Sequence, residues 1–142
     1  MEILQTREFW YFFIPIVVTL IIYFVDKSIK AERKHLLVLF KSNKSLSKRI
    51  QEKLKGFIEE FDASNAIAYP ERNVTYGTWL EMMSEEYKSS LSEELYEFAK
   101  KGKIPKPTLL SMSDSLNKQN EALRLMEMDM NLVIKKAQES RV

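Results

Sequence analysis

The chain has 142 residues, a formal net charge of +2 and no cysteine, which fits one modest domain and excludes disulfides, thiolate metal sites and cysteine nucleophiles. His35 is its one histidine, and the sequence contains no P-loop or dinucleotide fingerprint. We therefore predict a protein that is not an enzyme and that holds no metal or cofactor. Three widely spaced glycines and abundant Lys, Glu, Leu and Met favour an all-α fold.

The first element in the chain is an apolar stretch at residues 9–25, FWYFFIPIVVTLIIYFV, which contains no charged residue. As a helix it would be about 26 Å long, at the short end for a bilayer core of about 30 Å. A cleaved signal peptide would need a basic region before the stretch and a small-residue cleavage site after it. A buried core helix of this composition would be hard to cover in so small a protein. We predict a single transmembrane helix.

The charges beside this stretch predict its orientation. Arg7 is the one basic residue before it, whereas a basic group follows it directly: Lys27, Lys30, Arg33 and Lys34. The positive-inside rule places the basic side in the cytosol, which predicts an inner-membrane protein with its N-terminus outside. These four side chains are also expected to contact anionic lipid headgroups. Since the membrane already accounts for the basic charge, double-stranded nucleic acid is not an expected partner.

This interpretation divides the chain into four parts. Residues 1–8 are exported, residues 9–25 span the bilayer, residues 26–45 form a basic juxtamembrane linker, and residues 46–142 form a cytosolic helical domain that oligomerises and binds a ligand. Since no Pro or Gly lies between Pro15 and Gly56, the anchor helix could run past Lys34 into the apolar residues 36–40. The polar sequence Ser-Asn-Lys-Ser at residues 42–45 then predicts a helix break and an N-cap before the domain.

Two helical segments are predicted before the last helix. The first has an apolar stripe at three- and four-residue spacing: Leu46, Ile50, Leu54, Phe57, Ile58 and Phe61. The second begins near Thr78 and has its own inward stripe: Leu80, Met83, Tyr87, Leu91, Leu95 and Phe98. A capping box at Ser90 and Glu93 would divide it, and Gly102 would end it. Residues 66–77 lie between the two and are the least helical, so that a small hairpin is conceivable there.

The last helix, predicted from Thr108 to Glu139, has the strongest pattern. Its apolar residues follow a heptad seam: Leu109, Met112, Leu116, Gln119, Leu123, Met126, Met130, Val133 and Ala137. Gln119 is the polar member of the seam and could set its register. A second partial stripe widens the apolar face: Leu125, Met128 and Leu132. This long helix predicts a homo-oligomer or a protein partner, with packing inside one subunit as the alternative.

Two groups of residues have the composition of an anion-binding site. The first combines a cation, an amide and aromatic rings, which suits phosphate pairing and base stacking: Arg72, Asn73, Tyr76 and Trp79. The second is a basic link between helices: Lys100, Lys101, Lys103 and Lys106. The alternative interpretations are a core tryptophan beside a structural turn and a solvated helix end.

In its layout, FWYFFIPIVVTLIIYFV followed by a basic collar and a helical domain, the chain resembles the small membrane effectors of type III CRISPR antiviral systems. The resemblance implies a cytosolic domain that binds a cyclic oligoadenylate and an anchor that perturbs the bilayer. It assigns no individual binding residue. A membrane-tethered scaffold that docks a partner on its last helix is the rival hypothesis, and a minor subunit of a larger membrane complex is a third.

Overall fold

The computed structural model describes the backbone of residues 7–141 and the side chains of residues 18–141. Its four α-helices and two short strands follow in this order: α1 (Arg7–Phe61), β1 (Ile67–Tyr69), β2 (Val74–Thr75), α2 (Tyr76–Ser90), α3 (Glu93–Lys101) and α4 (Lys106–Glu139). A single 3₁₀ turn, Pro70–Arg72, joins the two strands. The predicted all-α class is confirmed, with the small antiparallel hairpin as its only sheet among the described residues.

The predicted break at residues 42–45 is wrong, because α1 continues through it without interruption. Asn43 is fully buried inside the helix and finds its hydrogen-bond partners on α4. An asparagine whose side chain is satisfied by a neighbouring helix does not compete with its own backbone, so the helix persists. The residues predicted as a linker between anchor and domain are therefore part of one long helix.

The helices form an up–down–up bundle. Residues of α1 form hydrogen bonds with residues of α4 and of the chain just after it, and the residue numbers of the two partners increase together. The two helices are therefore parallel. The bonded pairs are Ser28 with Lys106, Asn43 with Leu116, Arg49 with Glu127, and Glu60 with Arg141. Pairs between α1 and the α2–α3 segment run in opposite order, with Lys48 over the Tyr87 ring and Arg33 at the carbonyl of Ala99. The segment α2–α3 thus returns the chain to the level where the basic stretch of α1 lies.

Two apolar clusters hold the bundle together. The larger lies toward the hairpin and includes Ile50, Leu54, Trp79 and Met130. The smaller lies at the other end and joins α1 to the segment between α3 and α4 through Leu36, Ala99, Ile104 and Leu109. The smaller cluster fixes the α3–α4 connection against α1.

Local residues determine where α2 begins and where α3 begins and ends. Thr75 caps α2 by accepting a hydrogen bond from the Thr78 amide. The predicted capping box at Ser90 is wrong by two residues, because Ser92 accepts from the Leu95 amide and starts α3. At Gly102 a Cβ atom would lie 2.5 Å from the Phe98 carbonyl oxygen, so this position has no room for a side chain.

The predicted inward stripe of the second segment is correct along α2, where Met83 is buried, and at Leu91 just after it, which is also buried. Leu95 and Phe98 are exposed, and α3 instead buries Ala99 and covers part of Tyr96. The stripe assumed one uninterrupted helix. The turn at Leu91 and Ser92 interrupts the helix, so the three- and four-residue spacing of α2 does not continue into α3. A different face of α3 therefore packs against α1.

The two apolar stripes predicted on α4 have different surroundings. The heptad seam faces the bundle: Leu109, Leu123 and Met130 are buried, and the other members are partly buried. Leu125, Met128 and Leu132 are 54–62% exposed. The seam is therefore covered within one chain, and the second stripe is the apolar face of α4 that its own chain leaves uncovered.

Residues 9–17 of the predicted transmembrane stretch lie outside the described side chains. Within the part that the structure describes, no helix is both long enough and apolar enough to cross a membrane. The second half of the stretch is described, and residues 18–25 are all exposed on α1.

Candidate functional site

The two basic groups predicted from the sequence meet in the fold. The guanidinium of Arg33 on α1 donates to the carbonyl oxygens of Ala99 at 2.8 Å and of Lys100 at 3.2 Å. These carbonyls belong to the last turn of α3, where the helix leaves acceptors unpaired and the macrodipole favours a cation. Arg33 thus acts as a side-chain cap for α3 and positions Lys100 beside the basic stretch of α1.

A second contact fixes the other end of the connection. Lys106, at the start of α4, donates from Nζ to the Ser28 hydroxyl at 2.7 Å. We call the resulting surface the basic belt, and its members are Lys27, Lys30, Arg33, Lys34, Lys100, Lys101, Lys103 and Lys106. All eight are predicted from the sequence, but as two separate sites.

The belt keeps a strong positive charge after its ion pairs are counted. Segments 26–34 and 97–106 together hold eight basic and three acidic residues, a net charge of +5. Lys30 pairs with Asp26 at 3.5 Å and Lys101 pairs with Glu97 at 3.1 Å, both between exposed side chains on one helix. Such exposed pairs are worth well below 1 kcal/mol each, so they do not occupy the lysines.

The aromatic group predicted as a ligand site is mostly core. Trp79 is 6% exposed, and its ring packs against Tyr69 and Tyr76 with centroids 5.1 and 6.3 Å away. Burial raises the pKa of both tyrosines, with Asp129 adding to the effect at Tyr69. Because these contacts cover the indole, a nucleotide base could stack on Trp79 only if this part of the core repacked.

Tyr76 and Trp79 do line a cavity of about 260 Å³ next to α4, with Asp129 and Lys136 at its polar side. The indole nitrogen of Trp79 is buried and has no partner among the described side chains. Arg72 and Asn73 lie outside this cavity, on the turn between the strands, where Asn73 adopts a left-handed φ of 53°. The structure therefore brings together two of the four predicted residues, and a ligand role for the group stays a prediction.

A larger cavity of about 380 Å³ lies between all four α-helices and is lined by Phe40, Leu95 and Met112. Its charged lining residue is Glu86, whose carboxylate accepts from Gln119 at 3.5 Å. A carboxylate at this position disfavours an anionic ligand. Among the described residues, no group of three His, Asp or Glu side chains could hold a metal ion.

The polar layer between α1 and α4 was missed by sequence reasoning. The Asn43 amide donates to the Leu116 carbonyl at 2.8 Å and to Gln119 Oε1 at 3.0 Å, and its oxygen accepts from Asn120 at 2.7 Å. Gln119 was predicted to set register, and its partner is Asn43 of the same chain. This layer fixes how α4 sits along α1.

A charged node lies on the same interface, about two helical turns further along. Glu127 accepts from Arg49 at 2.6 and 2.9 Å and from Lys53 at 2.9 Å. These hydrogen bonds from two cations lower the pKa of Glu127 from 4.5 to about 2. The node adds a second, pH-dependent constraint on the α1–α4 pairing.

Replacing Glu127 by Gln should lower the free energy of unfolding at pH 7 by about 1–2 kcal/mol, less than the full pKa shift implies because water screens the half-exposed Arg49. A lowered pKa stabilises the fold fully above pH 4.5, and the effect is lost as the pH falls toward 2. Urea unfolding should show a difference in stability between the native chain and Glu127→Gln that is smaller at pH 3 than at pH 7. Glu121→Gln, at an exposed α4 position, should cost little at either pH.

The chain matches no family model, no curated protein and no solved structure.

Proposed function

We propose that the protein is a membrane effector with a single transmembrane anchor at residues 9–25 and a helical body in the cytosol. The body binds an anionic ligand, for which a cyclic oligoadenylate is the candidate, and the anchor then perturbs the bilayer. The observation that carries the proposal is the unbroken helix α1, Arg7–Phe61, which enters the core of the body. A continuous helix transmits a displacement of the body to the anchor, whereas a flexible linker would not.

The described half of the anchor supports this assignment. Along residues 18–25 the large apolar side chains are 47–62% exposed on α1, with no other element covering them. A helix that is apolar on all sides is stable in a protein core or in lipid. The charge pattern that follows supports a cytosolic body at the inner membrane, with the N-terminus outside.

The alternative is a membrane-tethered scaffold. It is favoured by the exposed stripe of α4, Leu125, Met128 and Leu132, which has the spacing of a helix-docking face. In a scaffold the anchor only localises the body, so the connection between them need not be rigid. A homo-oligomer would form through the same stripe. The two hypotheses differ because only the effector requires α1 to transmit a displacement of the body to the anchor.

Two insertions of equal length between Lys27 and Ser28 test the rigid connection. Seven alanines keep the helix and return the body to nearly the same rotation, since seven residues are close to two turns. Seven Gly and Ser residues make a flexible coil. When the chains are induced in cells, we expect the native chain and the alanine variant to depolarise the membrane, and the Gly-Ser variant to lose most of this activity.

The comparison requires that both variants remain in the membrane fraction at equal amounts. Equal depolarisation by both insertions would contradict transmission through a rigid α1, and no depolarisation by the native chain would favour the scaffold. Recovery of the native chain in the soluble fraction without detergent would overturn the anchor itself. Binding of cyclic oligoadenylate to the detergent-solubilised chain tests the ligand separately, and absence of binding together with no growth effect would exclude that ligand.

A further inference from the structure

We propose that the connection between α3 and α4, residues 100–106, is a second membrane-contacting segment that binds the headgroups of anionic phospholipids. The inference rests on the proposed anchor, because it needs the bilayer surface to lie just beyond Val25. It assigns the lysines of this connection to the lipid surface and not to a soluble ligand of the body.

The geometry places this connection at the level of the membrane-proximal stretch of α1. Arg33 bonds to the end of α3 and Ser28 bonds to the start of α4, so both ends of the connection are fixed within five residues of α1. Five residues of helix rise about 7 to 8 Å. That distance is comparable with the depth of a headgroup layer, which makes the whole connection accessible to one lipid surface.

The backbone of the connection is held, while three of its four lysines reach outward. Ile104 is 7% exposed in the smaller cluster and Leu109 is fully buried, so the chain between them is fixed against α1. Lys100, Lys101 and Lys103 are exposed. A fixed backbone with exposed lysines presents charge at low entropic cost, and lysine binds phosphate as a flexible point charge.

The arrangement suits a planar array of charges better than one enclosed anion. Half of the belt residues lie on α1 and half on the α3–α4 connection bonded to it, next to the exposed apolar run of residues 18–25. Clusters of four to eight basic residues next to a membrane helix are the usual signature of anionic lipid binding, with about 1 kcal/mol per residue near the surface. The connection doubles the basic residues that α1 alone brings to this level, from four to eight.

Because the chain has no cysteine, a single engineered cysteine can report on this contact. Lys101→Cys and Lys118→Cys form a matched pair, since each lysine side chain is 76% exposed and each pairs with an acid four residues earlier. The full-length chain is labelled with a fluorophore at either position and placed in nanodiscs of phosphatidylcholine, with or without phosphatidylglycerol. Quenching by acrylamide then measures how accessible the label is to water.

We expect phosphatidylglycerol to protect the label at position 101 and to leave the label at position 118 unchanged, with the protection weakened by high salt. Adding Lys100→Gln and Lys103→Gln should weaken docking about thirtyfold, because each lysine contributes a factor of about five and the two factors multiply. The same change at Lys135 and Lys136, far along α4, should leave the protection intact.

The other results separate the inference from the proposal on which it rests. Equal quenching at position 101 in both lipids, with the chain still in the discs, would overturn the lipid contact and leave the anchor standing. A chain that does not enter the discs would overturn the anchor. Protection by a soluble cyclic oligoadenylate in phosphatidylcholine alone would assign the connection to a soluble anion and overturn the headgroup assignment.

Discussion

Replacing Asn43 by alanine is expected to lower the free energy of unfolding by about 2–4 kcal/mol. Asn43 is fully buried, and its amide makes three hydrogen bonds to α4. Alanine would remove all three and leave the Asn120 amide and the Gln119 oxygen with one partner fewer in a partly buried interface. Each polar group left unsatisfied costs about 1–3 kcal/mol, and the missing side chain adds a small cavity.

Urea unfolding of the full chain measures this effect, and Ser42→Ala is its matched control. Ser42 is the preceding residue of the same helix and is exposed, so its replacement should change stability by less than about 0.5 kcal/mol. Equal stabilities for the two variants would show that the polar layer does not hold α4 on α1. Gln119→Ala should produce part of the Asn43 effect, because it removes one of the three bonds.

The position of Asn43 could have been found in the sequence. Counting back from Ile50 in alternating steps of three and four reaches Ser47, Asn43, Phe40 and Leu36, and all of these are buried. The seam therefore passes through the predicted break, but two of its positions are polar, and polar residues in a sequence usually indicate the end of a helix. The rule that Ser and Asn favour caps holds only where no neighbouring helix satisfies them.

Other features of the fold followed from local chemistry. The heptad seam of α4 predicted its length and its buried face, because Pro105 and the absence of a later breaker define one long helix. The hairpin was foreseen only as a conceivable alternative, since five strand residues give little periodicity. The start of α3 was missed because Ser89, Ser90 and Ser92 all suit an N-cap, and tertiary packing selects among them.

The basic belt illustrates what a sequence pattern leaves open. Each half of the belt is recognisable in the sequence as a run of basic residues. The two halves are far apart along the chain, and Arg33 and Ala99, which are in contact, are separated by 66 residues. Only the return path of α2 and α3 along α1 brings them to one level. The predicted loop site fails to converge for the corresponding reason, because Arg72 lies on the turn while Trp79 is drawn into the core.

The second variant with a large expected loss of stability lies in the smaller cluster. Leu36 is fully buried on α1 and packs with Ala99, Ile104 and Leu109. Leu36→Ala should lower the free energy of unfolding by about 3–4 kcal/mol, as expected for a leucine truncated in a tightly packed core. Leu54→Ala, which truncates an equally buried leucine of the larger cluster, should cost a similar amount.

The two variants should differ in where the structure loosens. Because the smaller cluster fixes the α3–α4 connection, Leu36→Ala should speed amide hydrogen exchange over residues 99–109 under native conditions, and Leu54→Ala should act mainly near the hairpin. If the connection docks on lipid, Leu36→Ala should also reduce the protection of a label at position 101, although every belt lysine is still present. Identical exchange patterns for the two variants would mean that the clusters unfold as one unit.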